Sequence, residues 1–233
     1  MSEPPRIETF PDRTALAEAA AEVLGEALGR ALRGRAGPAR LMVTGGSTPV
    51  ACYDKLKDWP IDWSRVEVTL TDDRFVPPTA DESNERLVRE HLLTGAAAAA
   101  GLTALWSDAG SPDEAAVRAE PKVRALGRFD AVLLGVGDDG HFASLFPGSP
   151  ELAEGLDPNA QRLVIGVTKA GLAPYVPRIS LTLPAILNAS LVVILIAGEA
   201  KKRPVEAALG GAGLPVRAVL AQDRTPVRIL WAA

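Results

Sequence analysis

Residues 129–141 read FDAVLLGVGDDGH, and the organisation of the chain can be worked out from them. Residues 129–134 are short, apolar but for Asp130, and run without a break, the pattern of a strand buried on both faces of a sheet. They lead directly into glycines, two aspartates and a histidine. The same arrangement recurs along the chain. Residues 40–44 run into Gly45-Gly46-Ser47-Thr48-Pro49, Val66–Leu70 into Thr71-Asp72-Asp73-Arg74, and residues 191–197 into a helix carrying Lys201 and Lys202. Short apolar strands alternating with helices indicate a parallel sheet covered on both sides. In such sheets ligands bind beyond the carboxyl ends of the strands, which is where these polar clusters fall.

The intervening segments carry helix signals. After Asp12, a good N-cap, Leu16, Ala20, Val23, Leu24, Ala27, Leu28, Ala31 and Leu32 recur at helical spacing, and Gly34 and Gly37-Pro38 stop the helix. Val50, Tyr53 and Leu56 carry a helix onward from Pro49, and residues 83–93 read as another. Ser111-Pro112-Asp113-Glu114 is a helix start with a capping box, and Pro121 should kink or end that helix. The alanine run at 96–100 reads as a surface connection. Residues 6–10 and 163–167 are further strands, and 227–231 should close the sheet. The expected fold is one α/β domain over residues 1–233, Rossmann-like, with a mostly parallel sheet and helices on both faces.

Charge narrows the function classes. The net charge is −4 and the isoelectric point about 5.3, against a nucleic-acid or anionic-membrane partner, both of which favour a basic face. A small anionic substrate remains compatible, since a few local cations suffice for one phosphate. Cys52 is the lone cysteine, so no disulfide can form within the chain. The N-terminal stretch lacks the apolar core of a signal peptide, and residues 191–197 are too few to span a bilayer. A cytoplasmic protein, monomeric or a small homo-oligomer, is the expectation.

Four segments carry chemistry. In Gly45-Gly46-Ser47-Thr48-Pro49 the glycines let backbone approach a ligand, Thr48 can cap the next helix, and the N–H groups of its first turn favour an anion. In Thr71-Asp72-Asp73-Arg74 an arginine can polarise an oxygen while an acid holds it. Gly135, Gly137 and Gly140 match a dinucleotide fingerprint literally, but Asp138 and Asp139 would oppose a pyrophosphate, and no acid-terminated strand follows at the required distance. The stronger reading is a carboxylate beside His141, one of two histidines in the chain; spacing leaves both Asp138 and Asp139 as its partner. His91, at helical spacing with Leu87 and Val88, reads as half-exposed and structural. Arg178 and Lys201 complete the set; a lysine in the first turn of a helix opposes the dipole unless an anion lies nearby.

Taken together, GGSTP (45–49), TDDRFVP (71–77) with Ser83-Asn84 downstream, LLGVGDDGHFASLFPG (133–148), PRISLTLP (177–184) and the stretch from Gly198 to Lys201 resemble the bacterial 6-phosphogluconolactonases, relatives of the glucosamine-6-phosphate deaminases. The order is the family's and the matches span nearly the whole chain. The resemblance implies hydrolysis of a sugar-phosphate lactone without metal or cofactor. His141 would be the base, Asp139 its partner and Arg74 an oxyanion or hydroxyl contact. Gly45, Gly46, Ser47, Thr48, Arg178 and Lys201 would bind the phosphate, with Asp72 and Asn84 as hydroxyl contacts. The deaminases carry a glutamate five residues past the histidine, where this chain has Phe146, and an aromatic residue in place of Arg74. Asp73, Phe75 and Phe142 depart from the common glutamate, tryptophan and threonine without removing a group the chemistry needs. A non-catalytic sugar-phosphate sensor would need the phosphate cradle but not the Asp–His pair.

Overall fold

The computed structural model describes residues 5–171, 173 and 175–233. Residues 1–4, part of the stretch read as lacking a signal peptide, lie outside it. Strand β1 (Ile7–Thr9) is followed by helix α1 (Arg13–Gly34), whose first turn is capped by Asp12, its side chain accepting from the Ala15 N–H. The chain continues through β2 (Ala39–Val43), α2 (Ser47–Leu56), β3 (Val66–Leu70), β4 (Asp72–Arg74), α3 (Asn84–His91) and β5 (Gly101–Thr103). Helix α4 (Pro112–Leu126) leads to β6 (Ala131–Leu134), α5 (Leu152–Leu156), β7 (Val164–Val167), β8 (Arg178–Leu181) and α6 (Leu183–Leu187). The last elements are β9 (Val192–Ala197), α7 (Glu199–Leu209), α8 (Arg217–Leu220) and β10 (Val227–Ala232).

Among the described residues, seven strands form one sheet in the order β1-β10-β9-β6-β2-β3-β5, with every neighbouring pair parallel. All four residues of β6 and the first five of β9 are buried, so both faces of the sheet centre are covered. Helix α1 packs across β2, β6, β9 and β10 beside α2. From β2 the chain first builds outward through β3 to the edge strand β5, then returns to place β6 on the other side of β2. The β2–β6 pair is therefore the topological switch point, and a crevice opens beyond its carboxyl ends.

Several expectations need correction. Residues 163–167 do form a strand, β7, but it joins β8 and β4 in a separate antiparallel sheet. The two sheets meet at Thr71, whose N–H donates to Val43 O (2.7 Å) and whose carbonyl accepts from Leu181 N (2.8 Å). Strand β10 does not close the main sheet; it lies between β9 and β1. Helix α2 starts one residue before Thr48, with Gly46 at the cap position and no side-chain cap. Pro121 neither ends nor breaks α4, because its neighbours Ala119 and Val123 hold both halves of the helix in the core while the carbonyl it leaves free belongs to exposed Val117. Glu114 reaches back to the Gly110 N–H (2.8 Å) rather than to Ser111, which caps Glu114 N itself. The alanine run forms a short 3-10 turn with Ala97 fully buried, so it is not a plain surface connection.

Tyr53 fixes the turn that enters the crevice. Its ring is wholly buried in α2, and its hydroxyl both accepts from Thr44 N (3.1 Å) and donates to Thr44 O (2.5 Å). Tyr53→Phe leaves both backbone groups of Thr44 unsatisfied and should cost about 1–3 kcal/mol in urea unfolding; an unchanged midpoint would contradict this role.

Candidate active site

The crevice is an open cleft of about 280 Å³, lined by Thr44, Gly45 and Gly46 from the end of β2 and by residues 135–138 and His141 from the end of β6. Asp72 and Arg74 of β4, Asn84 of α3, Arg178 of β8 and Lys201 of α7 complete the polar lining, with Ala143, Phe146 and Ala173 as its apolar part. The volume suits a single small polar molecule such as a phosphorylated sugar.

The loop after β6 closes tightly on itself. Gly137 N donates to His141 O and Gly140 N to Gly137 O, both at 2.9 Å. His141 Nδ1 lies 2.5 Å from Asp139 Oδ1, and the same oxygen accepts from the His141 backbone N–H at 3.1 Å. Asp139 is therefore the partner of the ring, while Asp138 points to Lys201, 3.6 Å away. Burial raises the Asp139 carboxyl, but the hydrogen bonds and charge of His141 outweigh it and hold the group below its ordinary value. With Nδ1 engaged, Nε2 is the nitrogen left for chemistry. The ring lies on Gly137: a Cβ there would come within 2.1 Å of both Cε1 and Nδ1. Phe146 packs on the ring, centroid to centroid 4.5 Å, and the Arg178 guanidinium sits 5.8 Å from the Phe146 centroid.

The small sheet supplies the cations. Its register makes Arg74 and Arg178 direct cross-strand partners, and Asp72 partners Ser180 one step along the same face. Like charges directly opposite one another destabilise a sheet. Burial, reinforced by the Arg74 charge, lowers the Arg178 guanidinium below its ordinary value against the pull of Asp72 and Asp73. An anion in the cleft would relieve this arrangement. Arg74 is held by the Glu82 carbonyl (2.5 Å) rather than by an acid, and its buried Nε has no protein partner. Asp73 instead caps α3, accepting from the backbone N–H groups of Asn84 (2.6 Å) and Glu85 (3.0 Å). Burial pushes its carboxyl up to about 7 against those donors.

Asn84 is buried, donates from Nδ2 to Asp72 O (2.9 Å), and presents Oδ1 without a partner. Its amide presses on Gly45, where a Cβ would fall 1.9 Å from Oδ1. Lys201 donates to Val136 O (2.9 Å), so the local misplacement of this lysine is met in part by Asp138 and that carbonyl. Thus His141, Asp72, Arg74, Asn84, Gly45, Gly46, Arg178 and Lys201 share one cleft, with Asp139 behind the ring. Ser47 and Thr48 do not line it; they line a smaller cavity with Arg13, Ala51, Leu195 and Ala197. His91 lies away from the cleft, at the end of α3 and 3.8 Å from Asp54. Sequence reading missed Gly137 as the seat of the ring and Tyr53 as the brace of Thr44. The glycine pattern was the available signal for the first, and Tyr53 gave only a helical-face pattern. Among the described residues no group of three or more His, Cys, Asp or Glu could hold a metal ion, and no helix is long and apolar enough to cross a membrane.

The fold is thus a parallel α/β sheet with a histidine–carboxylate pair and converging cations at its switch point, a cleft whose charge suits a small anion. Residues 11–231 match the family described as glucosamine-6-phosphate isomerases/6-phosphogluconolactonase, and the chain belongs to that family. It is 49% identical over 229 residues to a 6-phosphogluconolactonase of Caulobacter vibrioides, covering 98% of each chain. A 6-phosphogluconolactonase of Rhizobium meliloti is 42% identical, with 96% of this chain and 97% of that one covered. The crystal structure of a 6-phosphogluconolactonase from Shewanella baltica OS155 superposes with a TM-score of 0.93 at 38% identity, covering all of both chains.

Gly137→Ala should push the imidazole off Asp139. Proton NMR should show a low-field ring N–H resonance in the parent protein and its loss in the variant, with about 1–3 kcal/mol of stability lost to overpacking. Survival of that resonance would show that the ring does not depend on Gly137.

Proposed function

We propose that this chain hydrolyses 6-phospho-D-glucono-1,5-lactone to 6-phospho-D-gluconate, the second step of the oxidative pentose phosphate pathway, with His141 as general base. The observation that carries the reading is the Asp139–His141 pair facing the same cleft as the cross-strand arginines. The names borne by its relatives support the substrate.

Asp139 holds the Nδ1 proton and stabilises the charged ring, as the carboxylate does in a catalytic triad. Nε2 takes a proton from water as the water oxygen bonds to C1 of the lactone. Arg74 stabilises the oxyanion that forms on the carbonyl oxygen. When the intermediate collapses, the C1–O5 bond breaks and the imidazolium returns its proton to O5. Water is the sole co-reactant in this balance. Arg178, Lys201 and the backbone of Gly45 and Gly46 hold the phosphate. Asn84 Oδ1 accepts from a sugar hydroxyl, and Asp72 borders the same region. Phosphate binding far from C1 serves the reaction by holding the carbonyl against His141. Phe146 puts a phenyl ring on the face of His141 where a deaminase glutamate would stand, which favours the lactonase over the deaminase reading. The proposal includes a cytoplasmic monomer or small homo-oligomer without nucleic-acid or membrane partners, in keeping with the acidic isoelectric point and the lone, buried Cys52.

With lactone generated in situ from glucose 6-phosphate and its dehydrogenase, His141→Asn should lower turnover by about 10²–10⁴; near-normal turnover would remove His141 as base. Lys201→Ala should raise KM roughly tenfold while lowering kcat less; an unchanged KM would take Lys201 out of the phosphate site.

A further inference from the structure

The loop that carries His141 and the strands that carry the arginines belong to different sheets, and one buried side chain joins them. Residues 142–145 form a tight turn, closed by Leu145 N donating to Phe142 O at 3.0 Å. Its second residue, Ala143, has φ 48°, a left-handed conformation that a side chain disfavours and that persists where the surroundings impose it. The next residue, Ser144, is fully buried. Its hydroxyl donates to Asp72 Oδ2 at 2.6 Å, and its backbone N–H donates to Ser180 Oγ at 3.1 Å. Asp72 and Ser180 are cross-strand partners, two residues along the ladder from Arg74 and Arg178 and on the same face. Thr71 Oγ1 donates to the other Asp72 oxygen at 3.1 Å, so both oxygens of that carboxylate have donors from the protein.

We infer that Ser144 is a positioning residue that locks the His141 loop onto the Asp72–Ser180 pair and so sets the base at a fixed place relative to the arginines. Asp72 acts in this lock as a fastening point, a role distinct from contact with substrate. The arginines keep their own places through the β4–β8 ladder, which does not include Ser144. Losing the lock therefore frees the base and leaves the anion clamp in place. The strained turn at Ala143 is what the lock holds; without the hydroxyl bond it relaxes and carries the ring of His141 with it.

The kinetic arm rests on the lactonase reading, and the spectroscopic arm does not. In Ser144→Ala, kcat for the lactone should fall about 10- to 100-fold while KM changes less than about threefold, the pattern of a misplaced catalytic group. Only two histidines are present, so their ring resonances can be followed separately in the NMR spectrum. Those of His141 should move in Ser144→Ala, and those of His91 should stay. A folded variant with unmoved His141 resonances overturns the inference, whatever the activity. Equal losses in kcat and in apparent lactone affinity, with both histidines shifted, also overturn it, since they mark a general structural role. If Ser144→Ala does not fold, Ser180→Ala removes the acceptor of the Ser144 N–H and should move His141 alone, by less; no movement overturns the inference. A parent protein that does not hydrolyse the lactone refutes the lactonase reading and leaves the NMR result to decide the role of Ser144.

Discussion

The parallel pairing of β2 with β6 is the constraint on which the remainder depends. Leu41 against Ala131 and Met42 against Val132 place two strands side by side whose following connections leave in opposite directions across the sheet. The carboxyl ends of both strands therefore line one crevice. Everything chemical is then a matter of what each strand delivers there. β2 delivers backbone that a glycine pair lets close to a ligand, and β6 delivers the tight turn that seats an imidazole. Tyr53 steadies the first by holding Thr44. The backbone bonds within residues 137–141 steady the second.

The second sheet adds what the first lacks. A parallel sheet of apolar strands has no place for arginines, whereas the antiparallel three-strand sheet that meets it at Thr71 presents one face to the crevice. That face carries Arg74 opposite Arg178 and Asp72 opposite Ser180. A like-charged pair is a poor choice for stability and a good one for an anionic ligand, which would add negative charge beside both guanidinium groups. In the proposed mechanism Asp139 stabilises an imidazolium, and its lowered carboxyl, ionised over the neutral range, suits that role.

The sequence was most readable where structure is local. Val66–Leu70 forms the strand its apolar pattern indicates, and Asp12 and Ser111 cap the helices they precede, because caps and short apolar runs depend on neighbours a few residues away. The histidine and a neighbouring carboxylate were readable because they lie on one contiguous turn, while the choice of Asp139 over Asp138 needed the structure. The small sheet was not, because β4 and β8 are three and four residues long and find each other across about a hundred residues of chain. Periodicity carries no signal at that length, so neither the arginine pairing nor the Ser144 contact with Asp72 could be derived. Ser47 and Thr48 were read as lining the site because they open a helix, but the direction in which a first turn faces depends on packing that the local sequence does not encode.

In the proposed mechanism one cleft holds the phosphate on the arginine and lysine side while the reacting carbon lies against His141. A crystal structure with 6-phosphogluconate bound tests it most directly. The phosphate should lie within hydrogen-bond reach of Arg178 and Lys201, and the carboxylate of the opened lactone beside His141 Nε2. A phosphate seated on His141, or a product bound outside the cleft, would contradict it.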